Sequence, residues 1–358
     1  MILVFSKTYD VSTTDVMRWL HHIGERDVVR VNTDLPTQPS SITLTDERFD
    51  ISVGDREIAM EEIDAVWFRK GHLSVAHLYH QVDLPDRPTL AAEIRALVAR
   101  DQARVRDYFH FLLRRSTRVL GNPFNSVPNK LITLSLARSV GLRTPAFLVS
   151  DRRSSLVSAL QTGARFVTKA VSDGIYLQDY GSGVGYFTYT ESLSSDDVRQ
   201  MGQHISPSLI QQEIEKEVEL RVFYLDGTFY AAAIHSQADE KTRVDFRKYN
   251  FAKPNRVVPY KMPVDVERQL VALFRLMDLN TGSVDMIVDR RGDYFFLEIN
   301  PVGQYEWISR ACNYRLDRKI AEWLTGGKHE GARAAPTDGY RTSRAADVVV
   351  DDLFEAHR

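Results

Sequence analysis

The stretch GDYFFLEINPVGQYEW, residues 292–307, ends an aromatic run with an acid, Glu298, and an amide, Asn300, immediately before Pro301. Read as a strand, it alternates its side chains between two faces: Phe295, Leu297 and Ile299 on one, Phe296, Glu298 and Asn300 on the other. Upstream, SVDMIVD (283–289) also alternates, and the DRRGD link between them holds a glycine suited to a hairpin turn. Pairing Asp289 with Tyr294 sets Asp285 directly opposite Glu298. Carboxylates facing each other across a ladder cost about 0.2–1 kcal/mol, so this register calls for a cation, or a Lys or Arg, beside them. Asp285, Glu298 and Asn300 together are hard oxygen donors of the kind Mg²⁺ takes alongside phosphates. A solvated polar face on an edge hairpin is the competing reading.

A chain of 358 residues, 43% hydrophobic, is long enough for two or three domains with their own cores. It has no apolar run long enough to span a bilayer, and MILVFSKTYD reads as a first strand rather than a signal peptide. The single cysteine, Cys312, excludes an internal disulfide, a CxxC pair and a Cys-rich metal site, and fits a reducing cytoplasm. A net charge of −2 argues against a nucleic-acid protein defined by bulk charge. The charge is uneven, however: from Glu93 to Arg118 there are seven arginines against three acids. That pattern suits the solvated side of an amphipathic helix or a docking face for an acidic partner.

The pattern of elements predicts a mixed α/β and α+β molecule in four parts. Residues 1–120 form a small α/β N-terminal domain with a helical region over 88–118. GNPFNSVPNK (121–130) is dense in turn formers and marks a boundary. A central subdomain runs over 121–207, with a helix from Asn129, a strand at RFVTKAV and the glycine-bearing loop SDGIYLQDYGSGVGY. A second subdomain, 208–325, contains two strands around Asp226-Gly227, the DFRKYN segment, a helix near 264–279 and the carboxylate hairpin. The remainder, 326–358, is small and polar until DVVVDDLFEAHR and reads as a flexible tail.

Lys169, in a short strand just before GSGVG (181–185), is placed as a point charge beside glycine backbone, one way of holding nucleotide phosphates. An edge charge is the plainer reading. A protein kinase is excluded: the glycines follow the lysine, there is no HRD, and DFR stands at 245–247.

Taken together these residues resemble the ATP-grasp superfamily. Lys130, heading NKLITLSLARSVGLRTP, and Lys169 look like its two phosphate lysines. QQEI resembles its adenine hinge, with backbone groups offered by Gln212, Glu213 and Ile214. Glu219 and Arg221 are similar to its ribose-side and phosphate-side positions, and Asp285, Glu298 and Asn300 to its metal positions. Further stretches, among them AVWFRKG, VDFRKYN, NTGSVDMIV, FLEINPVGQYEWIS and CNYRLDRKIA, resemble the graspetide synthetases over about residues 1–325. These are ATP-grasp enzymes that cross-link side chains of ribosomally made peptides, and the grasp-with-spasm type is the nearest group.

The resemblance implies an ATP-grasp fold behind a small N-terminal domain, ATP and Mg²⁺ as cofactors, and a precursor peptide, leader plus acidic Thr/Ser-rich core, as partner. It implies an ADP-forming ligase that activates Glu or Asp side chains and closes ester or amide rings with Ser, Thr or Lys. Arg221 and Arg247 would stabilise the transferring phosphoryl group, and His235 would accept the hydroxyl proton. Arg69, Lys70 and His72 would bind the acidic substrate. It also implies a homodimer. Two other functions fit the same residues: a ligase for small amino acids or dipeptides, and a catalytically silent ATP- or peptide-binding regulator.

Overall fold

A computed structural model describes residues 1–25, 27–35, 39–71, 73, 84–172, 176–179, 184–187, 189–238 and 254–327. His72, Arg247 and the rest of DFRKYN, the first three glycine-loop residues 181–183 and the tail from 328 lie outside them.

The N-terminal part begins with β1 (Ile2–Ser6), α1 (Val11–His22) and β2 (Val28–Asn32), followed by the strands β3 (Ser41–Leu44), β4 (Phe49–Val53) and β5 (Arg56–Ala59). It ends with β6 (Ala65–Phe68), the long α2 (Pro88–Ser116) and β7 (Arg118–Leu120). The order β2-β1-β6-β7 is wholly parallel, while β3-β4-β5 form a separate antiparallel sheet. A parallel sheet is covered on both faces, which is why ILVFS and AVWF are apolar throughout. Ile2, Val4, Ala65 and Trp67 meet α1 on one side. Leu3, Phe5, Val66 and Phe68 meet Phe109, Leu112 and Leu113 of α2 and the β4-β5 strands on the other.

The central part comprises α3 (Lys130–Ser139), β8 (Phe147–Arg152), α4 (Arg153–Leu160), β9 (Phe166–Lys169), the hairpin β10 (Tyr176–Asp179) and β11 (Val184–Phe187), β12 (Glu191–Leu193), α5 (Ser195–Gln200) and β13 (His204–Gln212). Its sheet runs β12-β9-β13-β8, with Leu156 of α4 and Val198 of α5 packed on Ile210 and Phe166. β13 crosses residue 208, so the sheet boundary falls after Gln212 rather than at the 207/208 division expected from composition.

The third part holds β14 (Lys216–Leu225), β15 (Thr228–His235), β16 (Arg256–Tyr260), α6 (Val264–Leu276), β17 (Thr281–Asp289), β18 (Tyr294–Asn300), α7 (Glu306–Ala311) and α8 (Leu316–Thr325). Its antiparallel sheet is ordered β16-β15-β14-β17-β18. Asp226 (φ 38) and Gly227 (φ 100) make the two-residue turn between β14 and β15, both in the left-handed region such a turn requires. One face of the sheet packs Leu220, Val222, Val284, Met286 and Phe296 against α3 and α6. On the other face Phe223 and Ala232 join α1, α7, α8 and the N-terminal sheet in one core, and beyond them Glu219, Arg221, Asp285 and Glu298 share the face with Ile234 and Ile287.

The carboxylate hairpin differs from the simplest register. Tyr294 pairs with Val288, not Asp289, and a bulge at Leu297 then restores Asp285 opposite Glu298. The extra residue reverses the alternation, so Phe296 turns into the core with Ile299 instead of sharing a face with Glu298.

Candidate active site

On the polar face of the third sheet, Glu219 and Arg221 of β14 lie two residues apart. Arg221 stands opposite Asp285 of β17, and Asp285 opposite Glu298 of β18. Asn300 follows, opposite Ser283. The repulsion between the two carboxylates is relieved from both sides. Arg221 donates from Nη1 to both oxygens of Asp285, at 2.8 and 2.9 Å; Lys130 Nζ lies 3.1 Å from Glu298 Oε2. Hydrogen bonds between ionised partners are roughly twice as strong as neutral ones.

Lys130 reaches this position because Asn129 caps α3: its side chain accepts from the Leu131 and Ile132 N–H groups, fixing where the first helical residue points. Lys130 Nζ also donates to the Ser172 carbonyl, 3.4 Å away and three residues beyond Lys169. Lys169 ends β9 opposite Leu209, on the sheet face that also carries Val167 and Gln211 and lies away from α4 and α5. Gln211 on that face is buried, and its Nε2 has no hydrogen-bond partner among the described residues.

In the hinge after β13, the Gln212 and Glu213 N–H groups are already given to the carbonyls of Ala146 and Arg165, at 2.8 and 2.9 Å. The Glu213 carboxylate sits near Arg165 and Ser192. Gln212 is exposed, Ile214 half-buried. Glu219 is buried; its Oε1 accepts from Lys216 Nζ at 2.7 Å and Ser236 Oγ at 2.6 Å. Lys216 and Ser236 are not among the residues expected from sequence, and Gln211 is there only as the first residue of the hinge segment QQEI. Only the i,i+3 spacing of Lys216 and Glu219 could have signalled the first.

Arg69 does not lie on a substrate surface. It is 3% exposed and joins the N-terminal domain to the loop that follows Asn300. Its Nη1 donates to the carbonyls of Val302 (2.6 Å) and Gly303 (3.3 Å), Nη2 to Glu306 (3.4 Å) and Nε to Ser12 (3.0 Å), with Asp10 at 3.5 Å. The same loop returns the Gln304 carbonyl to Arg221 Nη2 at 3.0 Å. Gly303 is required there, since a Cβ would come 2.7 Å from Ser283 Cβ and 3.0 Å from Arg221 Nη2. Lys70 is half-buried beside Asp10. Burial pushes the Asp10 carboxyl up, but Arg69, the Ser12 hydroxyl and Lys70 together outweigh it and hold it below the usual range.

His235 is not brought into the cluster. Ile234 is the β15 residue in register with Glu219, so the pleat sends His235 to the opposite face, at its exposed end.

Residues 182–324 match the RimK-like ATP-grasp domain family. Among solved structures, a RiPP-associated ATP-grasp ligase of Chryseobacterium gregarium, in complex with ADP and a leader and core peptide, is 24% identical with a TM-score of 0.72, over 91% of this chain and 96% of that one. The chain has the ATP-grasp fold. The macrocyclase MdnC of Microcystis aeruginosa MRC, bound with the precursor peptide MdnA, is 26% identical at a TM-score of 0.68, over 91% and 100% of the two chains. The ATP-grasp ligase PsnB, complexed with a minimal precursor, Mg and ADP, is 18% identical at a TM-score of 0.65, over 91% and 96%. Comparison with curated proteins finds no sequence match. Structures similar to this chain thus include a RiPP-associated ATP-grasp ligase and a macrocyclase.

Among the described residues no three His, Cys, Asp or Glu side chains cluster as a metal site. The donor set is instead two carboxylates and an amide, with Asp285 and Glu298 partly open to solvent. That chemistry fits a hard divalent cation, since each carboxylate oxygen has a second lone pair beyond the one its cation partner takes.

Proposed function

We propose that this chain is an ADP-forming ligase that activates Glu or Asp side chains of a ribosomally made precursor peptide and closes side-chain ester or amide rings. One observation carries the reading: Lys130, Arg221, Asp285, Glu298 and Asn300 converge on one partly open face of an ATP-grasp sheet.

Carboxylates are poor electrophiles, which is the chemical reason for ATP. A side-chain carboxylate oxygen of the peptide attacks the γ-phosphorus, ADP leaves, and the carboxyl becomes an acyl phosphate. A Ser or Thr hydroxyl, or a Lys amine, then attacks the acyl carbon. Phosphate departs, the nucleophile's proton is lost and the ring closes.

In this reading Lys130, Lys169 and Arg221 hold the phosphates by fixed positive charge. The Gln212–Ile214 backbone and Glu219 hold the adenosine, with Lys216 and Ser236 locking the Glu219 carboxylate. The unpartnered Nε2 of buried Gln211 suits an acceptor on a ring edge. Asp285, Glu298 and Asn300 would hold magnesium, which when bound neutralises phosphate charge and polarises the transferring group. Arg247 belongs to the proposal as a further phosphate-side arginine, and Lys70 and His72 as substrate contacts. Arg69 is assigned here a positioning part instead, through the loop 302–304, and the face that carries His235 counts against its being the base. A homodimer and a cytoplasmic location belong to the same reading.

The test is intact mass, with a parallel ADP assay, after incubation with ATP, magnesium and the small acidic, Thr/Ser-rich peptide encoded beside the gene. Loss of a water per ring, abolished by Glu298→Gln, is the expected result, and rings cleaved by mild base are esters. ADP formed with no mass change, although the peptide binds, would shift the assignment to a small-molecule ligase. No ADP under any condition, with function untouched by Glu298→Gln, would leave a silent regulator.

A further inference from the structure

The stretch CNYRLDRKIA (312–321) has no part in the proposed ligase site, yet together with Tyr230 of β15 it lines a cavity of about 500 Å³. None of Lys130, Arg221, Asp285 or Glu298 lines it. The chain passes from α7 into α8 over residues 312–315 only. Asn313 (φ 53) and Arg315 (φ 54) both take the left-handed conformation there, which asparagine adopts readily and arginine seldom. Between them Tyr314 is set against the sheet. Its hydroxyl donates to the Ala231 carbonyl, and its ring meets that of Tyr230 at 5.6 Å and 60°. Arg315, Arg318 and Lys319 then follow at the three- and four-residue spacings that share one face of a helix.

The charges around the cavity do not cancel. Arg318 is taken: its Nε donates to Glu322 Oε1 at 2.6 Å, and its guanidinium lies over the Trp19 ring of α1. Lys319 Nζ stands 5.3 Å from the centre of the Tyr230 ring. Among the described residues Arg315 and Lys319 have no carboxylate partner, and the Asn313 amide and the Tyr230 hydroxyl make no hydrogen bond. Three cations against the single carboxylate of Glu322 leave two positive charges.

That surplus selects the ligand. A phosphate monoester carries a charge of about −1.5 to −2 at neutral pH and three strong acceptor oxygens, which match two cations and the neutral donors beside them. A single carboxylate would leave one cation without a partner. A bare phosphate would leave the tyrosine rings uncovered, in a cavity within the roughly 300–1,000 Å³ range of small-molecule sites. The rings suit a flat or apolar body.

We propose that this cavity binds a small phosphate monoester, its phosphate held by Arg315 and Lys319 and its organic part lying against Tyr230 and Tyr314. It is a second site, apart from the nucleotide-binding face, and does not rest on the ligase reading.

The test is calorimetric titration of the full chain with phenyl phosphate, with excess ADP and magnesium present to occupy the nucleotide face. One equivalent is expected to bind, with inorganic phosphate and benzoate each at least tenfold weaker. Arg315→Ala and Lys319→Ala are each expected to weaken phenyl phosphate at least tenfold. Glu322→Gln removes the negative charge and releases Arg318, so it is expected to tighten binding severalfold, a gain that general damage to α8 would not give. Thermal unfolding of each variant separates loss of binding from loss of fold. Absence of heat at millimolar phenyl phosphate overturns the proposal, as does binding that Arg315→Ala and Lys319→Ala leave unchanged or that Glu322→Gln fails to tighten. Inorganic phosphate or benzoate binding as tightly as phenyl phosphate overturns it too, since the site would then read a bare anion or a carboxylate.

Discussion

Arg221 shows how much one residue settles. Its guanidinium grips Asp285 with two bonds and ties the Gln304 carbonyl to the same sheet. Arg221→Lys keeps the charge but loses the planar fork, and ADP formation is expected to fall on the order of 10²-fold, the scale seen when one preorganised electrostatic group is lost. Gly303→Ala attacks the same arrangement from the loop side, because the added methyl pushes on Ser283 and Arg221. It is expected to lower ADP formation in the same direction with a smaller change in unfolding temperature. Full activity in Gly303→Ala would show that the loop does not set Arg221. The pairing of Asp285 with Glu298 was legible in the alternation of two short segments, as was the need for cations beside them. Which cations was not legible in those segments, because Lys130 comes from a helix about 170 positions upstream of Glu298.

At the scale of elements, β14 carries Lys216 and Glu219 as a buried pair with Ser236. Lys216→Met strands a buried carboxylate and is expected to cost about 3–5 kcal/mol, measured by urea unfolding; a loss below about 1 kcal/mol would mean that water reaches Glu219. A different dependence belongs to α8. Burial, and secondly the charge of Asp15, push the Asp317 carboxyl up to about 6. Between the ordinary carboxyl value and about 6 the folded chain holds a proton that the unfolded chain has released, so this group's contribution to stability falls as pH rises through that window. Asp317→Asn carries no such charge. Its stability relative to wild type is expected to improve by about 1–2 kcal/mol between about pH 4 and about pH 7, after allowance for partial exposure. A difference that does not change with pH would refute the assignment. The bulge at Leu297 was the element-scale surprise: the turn chemistry allowed the register that the alternation asked for, and only packing of Phe296 and Ile299 into one core required the extra residue.

For the whole molecule, Arg69 is a polar joint between the N-terminal domain and the loop after the sheet that carries the site, beside the core the two parts share. Arg69→Met removes the buried guanidinium beside Asp10, leaving Lys70 and the Ser6 and Ser12 hydroxyls, and deprives the Val302 and Gly303 carbonyls of its N–H donors. A loss of about 3–5 kcal/mol is expected by denaturant unfolding, with ADP formation reduced as the 302–304 loop relaxes. Unchanged stability would mean that the two parts do not depend on this contact. The sequence by itself determined the pattern of elements, an apolar first strand, the facing carboxylates and a helix that starts beside Lys130. All of these follow from local periodicity and turn chemistry, which act within a few residues. Only the tertiary structure decided that Arg69 is buried rather than substrate-facing, that His235 points away from the cluster and that Lys216 and Ser236 enclose Glu219. Each of those depends on the face or depth at which packing places a residue, and periodicity specifies a face without saying what will lie against it.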